Sequence, residues 1–217
     1  MKRFLQFAAV AAAFVVISGA AQAQFRTSGP ALAGVWNPVI GSGGVYEVTP
    51  KNGKPATMEM AVVGKELVDG KEGYWFETSF KLPNGKGGTV SKVLFVREGN
   101  EIIFKRMIMQ MPGRPPMDMS AMVASMMHPQ DADIRSTSDD LGPAIVTTPA
   151  GTFACEHYKT KDGKSEMWIK AKAGPYGLVK SVSDTGTMIL TRVITDAKDK
   201  ITGTPRPMQM GMPQRRP

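Results

Sequence analysis

Sulfur is where this chain concentrates its chemistry. It has 16 methionines and one cysteine, and eleven of the methionines fall within Met107–Met127 and Met208–Met212. The spacings are Met107-x-Met109-x-Met111, Met117-x-Met119-x-x-Met122, Met126-Met127-His128 and Met208-x-Met210-x-Met212. Three chemistries are open to such a pattern. A polarisable, unbranched thioether fills irregular gaps in a core. The same adaptability suits a surface that re-packs around a lipid or another hydrophobic ligand. Thioethers are also soft donors that select Cu(I). For that third chemistry Met107, Met109 and Met111 are the candidate metal ligands. Alternate residues of a strand stand about 6.8 Å apart, so their side chains must bend to converge.

The other reactive residues form no constellation. Cys155 and His157 are two apart in a strand-like stretch, which puts them on one face with Cβ atoms about 6.5–7 Å apart. That is loose for a thiolate–imidazole pair, and no third group orients the ring. Cys155 therefore reads as a small buried hydrophobe. His128 and His157 are too far apart in sequence to make a zinc set with it. Asp131, Asp133, Asp139 and Asp140 crowd one stretch without the glycine that a calcium loop needs. Gly163-Lys164-Ser165 lacks the earlier glycine of a phosphate loop, and Gly41-Ser42-Gly43-Gly44 opens no helix. No Ser/His/Asp or paired-carboxylate arrangement emerges. A non-enzymatic protein without a cofactor is the expectation.

The elements that must position these residues are mostly strands. Asn52-Gly53, Asp69-Gly70, Asn84-Gly85 and Asp162-Gly163 read as two-residue hairpin turns, with Gly99-Asn100 and Thr185-Gly186 as two further reversals. Alternation puts Met58, Met60 and Val62 on one face. Tyr74, Phe76 and Phe80 share a face opposite Glu77, Ser79 and Lys81. Ile102, Phe104 and Ile108 line up opposite Ile103, Lys105 and Met107. Later strands are expected at 153–160, 166–171, 176–183 and 187–194. Long antiparallel strands in sequence order twist and curl into a barrel or part of one. The expected fold is therefore mainly β, a curved antiparallel meander forming an incomplete barrel.

One segment breaks the strand pattern. Met119, Met122, Val123 and Met126 fall at helical spacing within 117–127, after Pro115-Pro116 and before Pro129. A helix this short must dock its apolar face, so these four residues are the candidate ligand-binding lid. Residues 128–142 read as a polar, acidic loop. Residues 203–217, with four prolines and three arginines, read as a disordered tail.

The N-terminus reads as an export signal. Lys2 and Arg3 precede an apolar run from Phe4 to Ile17, and Ala21-Gln22-Ala23 is a small-x-small cleavage site. The run is shorter than the roughly 20 residues of a spanning helix, so residues 1–23 are expected to be removed after Ala23. A single domain, 24–202, would then work in the periplasm with no transmembrane segment. The 27 Lys and Arg against 19 Asp and Glu give a net charge of +8, and loss of Lys2 and Arg3 leaves +6. In a periplasm that charge meets lipid headgroups and acidic proteins, not nucleic acid.

The export signal, long-stranded meander, proline-flanked mid-chain helix, Trp168 and Pro175-Tyr-Gly-Leu-Val-Lys180 together resemble the periplasmic lipoprotein-carrier (LolA/LolB-like) superfamily. Within it, the chain is most similar to an uncharacterised exported branch. The resemblance spans roughly residues 35–200. It implies an incomplete barrel whose apolar concave face, closed by the helix, binds acyl chains or other hydrophobic ligands. The leading expectation is a periplasmic hydrophobic-ligand binder. Cu(I) binding through the methionine-rich segments is the alternative. A third is an envelope scaffold or stress protein acting through contacts with other envelope proteins.

Overall fold

Alternation and turn chemistry do build a β protein. The computed structural model describes residues 34–81, 87–124 and 129–207. The signal peptide, the Asn84-Gly85 turn, Met126 and Met208–Met212 lie outside them. The strands are β1 (Gly43–Pro50), β2 (Ala56–Val68), β3 (Lys71–Lys81), β4 (Gly87–Glu98), β5 (Glu101–Gln110), β6 (Met117–Asp118), β7 (Gln130–Asp131), β8 (Ser138–Thr148), β9 (Gly151–Thr160), β10 (Ser165–Ile169), β11 (Leu178–Ser183), β12 (Gly186–Ile194) and β13 (Arg206–Pro207). They form one sheet in the order β13-β6-β5-β4-β3-β2-β1-β12-β11-β10-β9-β8, with β7 on β5. Among the described strands only β13 and β6 run parallel. The edges β13 and β8 do not meet, so the barrel is incomplete, as expected. Among the described residues no helix is long and apolar enough to cross a membrane.

The turns follow their chemistry unevenly. Asp69 and Gly70 both take positive φ, 51° and 78°, and join β2 to β3 as a two-residue turn. Gly99-Asn100 does the same for β4 and β5. Asn52-Gly53 and Asp162-Gly163 instead sit in longer loops, 51–55 and 161–164. In the second loop the Asp162 carboxylate accepts from the Lys164 N–H and the Thr160 hydroxyl, so a side chain rather than the ladder shapes the reversal. The expected loop 128–142 is also shorter than read, because β8 begins at Ser138. That strand holds Pro143, which a sheet edge tolerates because a donor is not needed there.

Among the sheet's register shifts, two decide which side chains share a face beside the methionines. In β2, Val62 pairs with Phe76 but Gly64 with Trp75, so Val63 is the extra residue. In β5, Phe104 pairs with Phe95 but Arg106 with Leu94, so Lys105 is extra. Each inserted residue reverses the alternation beyond it. Ile108 therefore leaves the face of Ile102 and Phe104, against the sequence expectation, and Met107 joins it.

The inner face closes on an aromatic plug. Trp36, 3% exposed, lies 4.8 Å from Tyr176, 6.0 Å from Phe76 and 6.2 Å from Phe95 between ring centroids. The Trp36 backbone N–H donates to the Ala132 carbonyl, and the Ile134 backbone N–H donates back to the Gly34 carbonyl. Gly34 is required for this approach, since a Cβ there would stand 2.1 Å from the Tyr176 carbonyl oxygen. Gly34→Ala should destabilise the domain by about 1–3 kcal/mol, the usual cost of overpacking, read as a lower urea midpoint.

The outer face is covered as well. Beyond β12 the chain crosses it as a strap. Ile201 packs on Trp75, Leu94 and Ile108, the Thr202 N–H reaches the Gln110 side chain, and Arg206 N–H donates to the Pro116 carbonyl. Under the strap Glu77, on the face opposite Phe76 as alternation expects, is 3% exposed. It accepts from the Lys200 N–H at 3.0 Å and stands opposite Lys92 in the β3–β4 register. Lys92 pairs with Asp199, and Lys200 reaches Ser79 and Glu59.

Candidate functional site: the methionine rim

The bulge at Lys105 and the prolines at 115–116 together create the site. After the bulge, Arg106 opposes Leu94 on the outer face and Met107 opposes Val93 on the inner one, so Met109 is inner too. Pro115 and Pro116 favour extended backbone over helix. Met117 and Asp118 accordingly pair with β5 as β6, with Met109 opposite Met117. The ladder runs one step further, because Met119 N–H donates to the Met107 carbonyl at 2.8 Å. Directly opposed residues share a face, so Met107, Met109, Met117 and Met119 form two cross-strand pairs on the inner side.

The expected helix 117–127 is thus corrected at its start. Within the described residues the helix is one turn, α1 (Ser120–Val123), with no buried residue of its own. A cross-strand ladder satisfied the backbone of Met117 and Asp118 before a helix could. Of the four expected lid residues, Met119 is buried (6% exposed) and Met122 is exposed (38%). Val123 is half-buried, and Met126 lies outside the described residues. Of the three expected metal ligands, Met107 is buried and Met109 and Met111 are half-buried. Met111 sits beyond β5, where its carbonyl accepts from Arg114 N–H. Met117, the first member of the Met117-x-Met119-x-x-Met122 spacing, was not among the candidate site residues; the proline pair before it was the signal that it would be extended.

A polar clamp fixes the rim from behind. Ser120 donates through both its N–H and its hydroxyl to the Asp118 carboxylate, and its Oγ accepts from Met107 N–H at 3.0 Å. Arg106 lies 3.6 Å from Asp118 and 3.5 Å from Glu66, with its guanidinium over Trp75. Burial alone would raise the Asp118 carboxyl, but the Ser120 hydrogen bonds and Arg106 hold it below the usual carboxylate range. These charges are matched to one another on the outer face.

The remaining reactive groups are engaged elsewhere. His157 stacks on Trp168 at 4.3 Å and bonds to Glu166 at 3.1 Å, with Lys180 over the same indole. Cys155 is 3% exposed, and burial pushes its thiol up. Native Cys155 should therefore react with an aromatic disulfide reagent only as fast as the domain opens, and at the free-thiol rate in urea. Among the described residues no three His, Cys, Asp or Glu side chains are grouped to hold a metal. A cleft of about 300 Å³ lies between the β1–β2 loop and the β11–β12 turn, lined by Pro50, Lys51, Ser183 and Asp184. It is built of turn residues and the strand ends beside them and includes none of the methionines.

No protein-family model matches the chain, and no curated protein matches it. Among solved structures it is similar to a protein described as a lipoprotein from Parabacteroides distasonis, at 13% identity and TM-score 0.41, over 74% of this chain and 99% of that one. An exported protein with a YmcC-like fold from Bacteroides fragilis is similar at 14% identity and TM-score 0.40, over 74% and 99% of the two chains. MucB, in complex with MucA(peri), is similar at 12% identity and TM-score 0.35, over 76% of this chain and 53% of that one.

Proposed function

We propose that this is an exported, non-enzymatic envelope protein that binds a lipid or other hydrophobic ligand at its methionine rim, in keeping with the carrier-like resemblance of its sequence. The observation that carries the reading is the half-buried Met109–Met117 pair, with exposed Met122 one turn further on. Unbranched thioether side chains at an open sheet end can re-pack around an apolar chain at little cost. The centre of the concave face is occupied by Trp36, so the ligand belongs at the rim rather than in the middle. Export rests on the charged, apolar and small-x-small pattern of residues 1–23.

The test is uptake of N-phenyl-1-naphthylamine, a fluorescent apolar probe. Met122→Asp puts a charge at the rim, and its uptake should fall at least tenfold. Stability should stay within about 0.5 kcal/mol of the parent, as for other surface changes. Undiminished uptake would end the reading. Global unfolding of the variant would make Met122 a core residue and end it equally.

A further inference from the structure

The four methionines paired between β5 and the segment 117–119 carry a second consequence, which depends on sulfur rather than on apolar volume and shares Met109 and Met117 with the proposed ligand site. We propose that Met107, Met109, Met117 and Met119 form a Cu(I) site. Cross-strand neighbours hold their Cβ atoms about 4.5–5.5 Å apart, and alternate residues along a strand about 6.8 Å. The four Cβ atoms therefore mark a rectangle whose centre is on the order of 4 Å from each corner. Each Sδ is two bonds beyond its Cβ on a chain with staggered, freely chosen rotamers. All four sulfurs can lean inward over that centre. A single strand of alternating methionines could not do this, because its third member is too distant.

Several features suit the reduced ion. Cu(I) is soft and takes thioether donors, whereas Zn(II) and Cu(II) seek imidazole and harder ligands. The ligands are neutral and do not titrate, so binding releases no proton. The backbone is fixed before any ion arrives, by the Met119–Met107 hydrogen bond and by the bond from Met107 N–H to Ser120. Met107 and Met119 are 8% and 6% exposed yet stand outside both hydrophobic core clusters. Their half-buried partners Met109 and Met117 leave a way in from the rim. The nearby charges, Arg106 and Asp118, are paired with each other on the opposite face.

The experiment is an anaerobic titration of the full chain, labelled with ¹³C at the methionine methyl groups, using Cu(I) in competition with bicinchoninate. The methyl signals of Met107, Met109, Met117 and Met119 should shift together and saturate at one ion for the four. Met109→Leu with Met117→Leu keeps the apolar volume and removes two sulfurs. That double variant should bind Cu(I) at least a hundredfold more weakly. The methyl resonances report on the unmodified protein, so the result stands even if the double variant folds poorly. Unmoved Met109 and Met117 methyl signals at saturating Cu(I), or unchanged affinity in the double variant, would overturn the proposal. Neither outcome touches the apolar-ligand reading, which stands or falls on probe uptake by the parent and by Met122→Asp.

Discussion

Trp36→Ala is expected to lower the unfolding free energy by about 3–5 kcal/mol, the range for deleting a large buried aromatic side chain. The indole is 3% exposed and makes edge or tilted contacts with Phe76, Phe95 and Tyr176. Such pairs add about 0.5–1.5 kcal/mol each beyond their burial. The backbone at 34–37 is bonded on both sides, to Ala132 and Ile134 and to Pro175 and Tyr176. The surrounding strands therefore have little freedom to collapse into the space. Urea denaturation would show a lower midpoint with an unchanged slope. If the segment were instead a displaceable cover over a ligand cavity, the variant would keep its stability and take up more apolar probe. That result would move the binding site from the rim to the centre.

The second large effect is on pH. Burial beneath the strap, reinforced by the neighbouring Asp199 carboxylate, pushes the Glu77 carboxyl up to about 7, against a pull downward from the Lys200 N–H. The folded state then holds this proton more tightly than the unfolded chain, whose glutamate titrates near its ordinary 4.5. The stability from the protonated group is complete below about 4.5 and is lost as pH rises through 7. Linkage puts that loss at about 3 kcal/mol across the window. Asp118 and Asp133, whose carboxyls are held low, act in the opposite sense and only at lower pH. Glu77→Gln keeps an acceptor for the Lys200 N–H without a charge to bury. It should match the parent near pH 5, exceed it at pH 8, and flatten the stability curve between them. A parent-like slope in the Gln variant would place the titration elsewhere.

Much of the sheet was legible because its signals are local. Asp69-Gly70 specified its own turn, and Met58, Met60 and Val62 specified their shared face. The chain also announced β9 to β12 to within one or two residues. What the sequence hid was non-local. A bulge is one extra residue between two pairings, and nothing at Lys105 marks it. Alternation therefore put Ile108 with Phe104 and set Met107 apart, when the structure does the reverse. Alternation put Glu77 on the face away from Phe76 but not its burial, because the strap that covers it is more than a hundred residues away. Trp36 lies outside every strand read from the sequence, and only the convergence of Phe76, Phe95 and Tyr176 makes it a plug. The methionine site was half visible. Met107 and Met109 were read as candidates, but the helical spacing of Met119, Met122 and Val123 outweighed the prolines that hold Met117 and Asp118 extended.

The central claim is that an apolar ligand engages the methionine rim while the aromatic interior stays closed. Titration of the methyl-labelled chain with dodecanoate, followed together with the indole N–H signals, tests it most directly. The Met109, Met117 and Met122 methyl signals should shift saturably, and the Trp36 indole should stay where it is. A shift confined to Trp36 and its aromatic neighbours, with silent methionines, would contradict the account, as would a ligand that moves no signal at all.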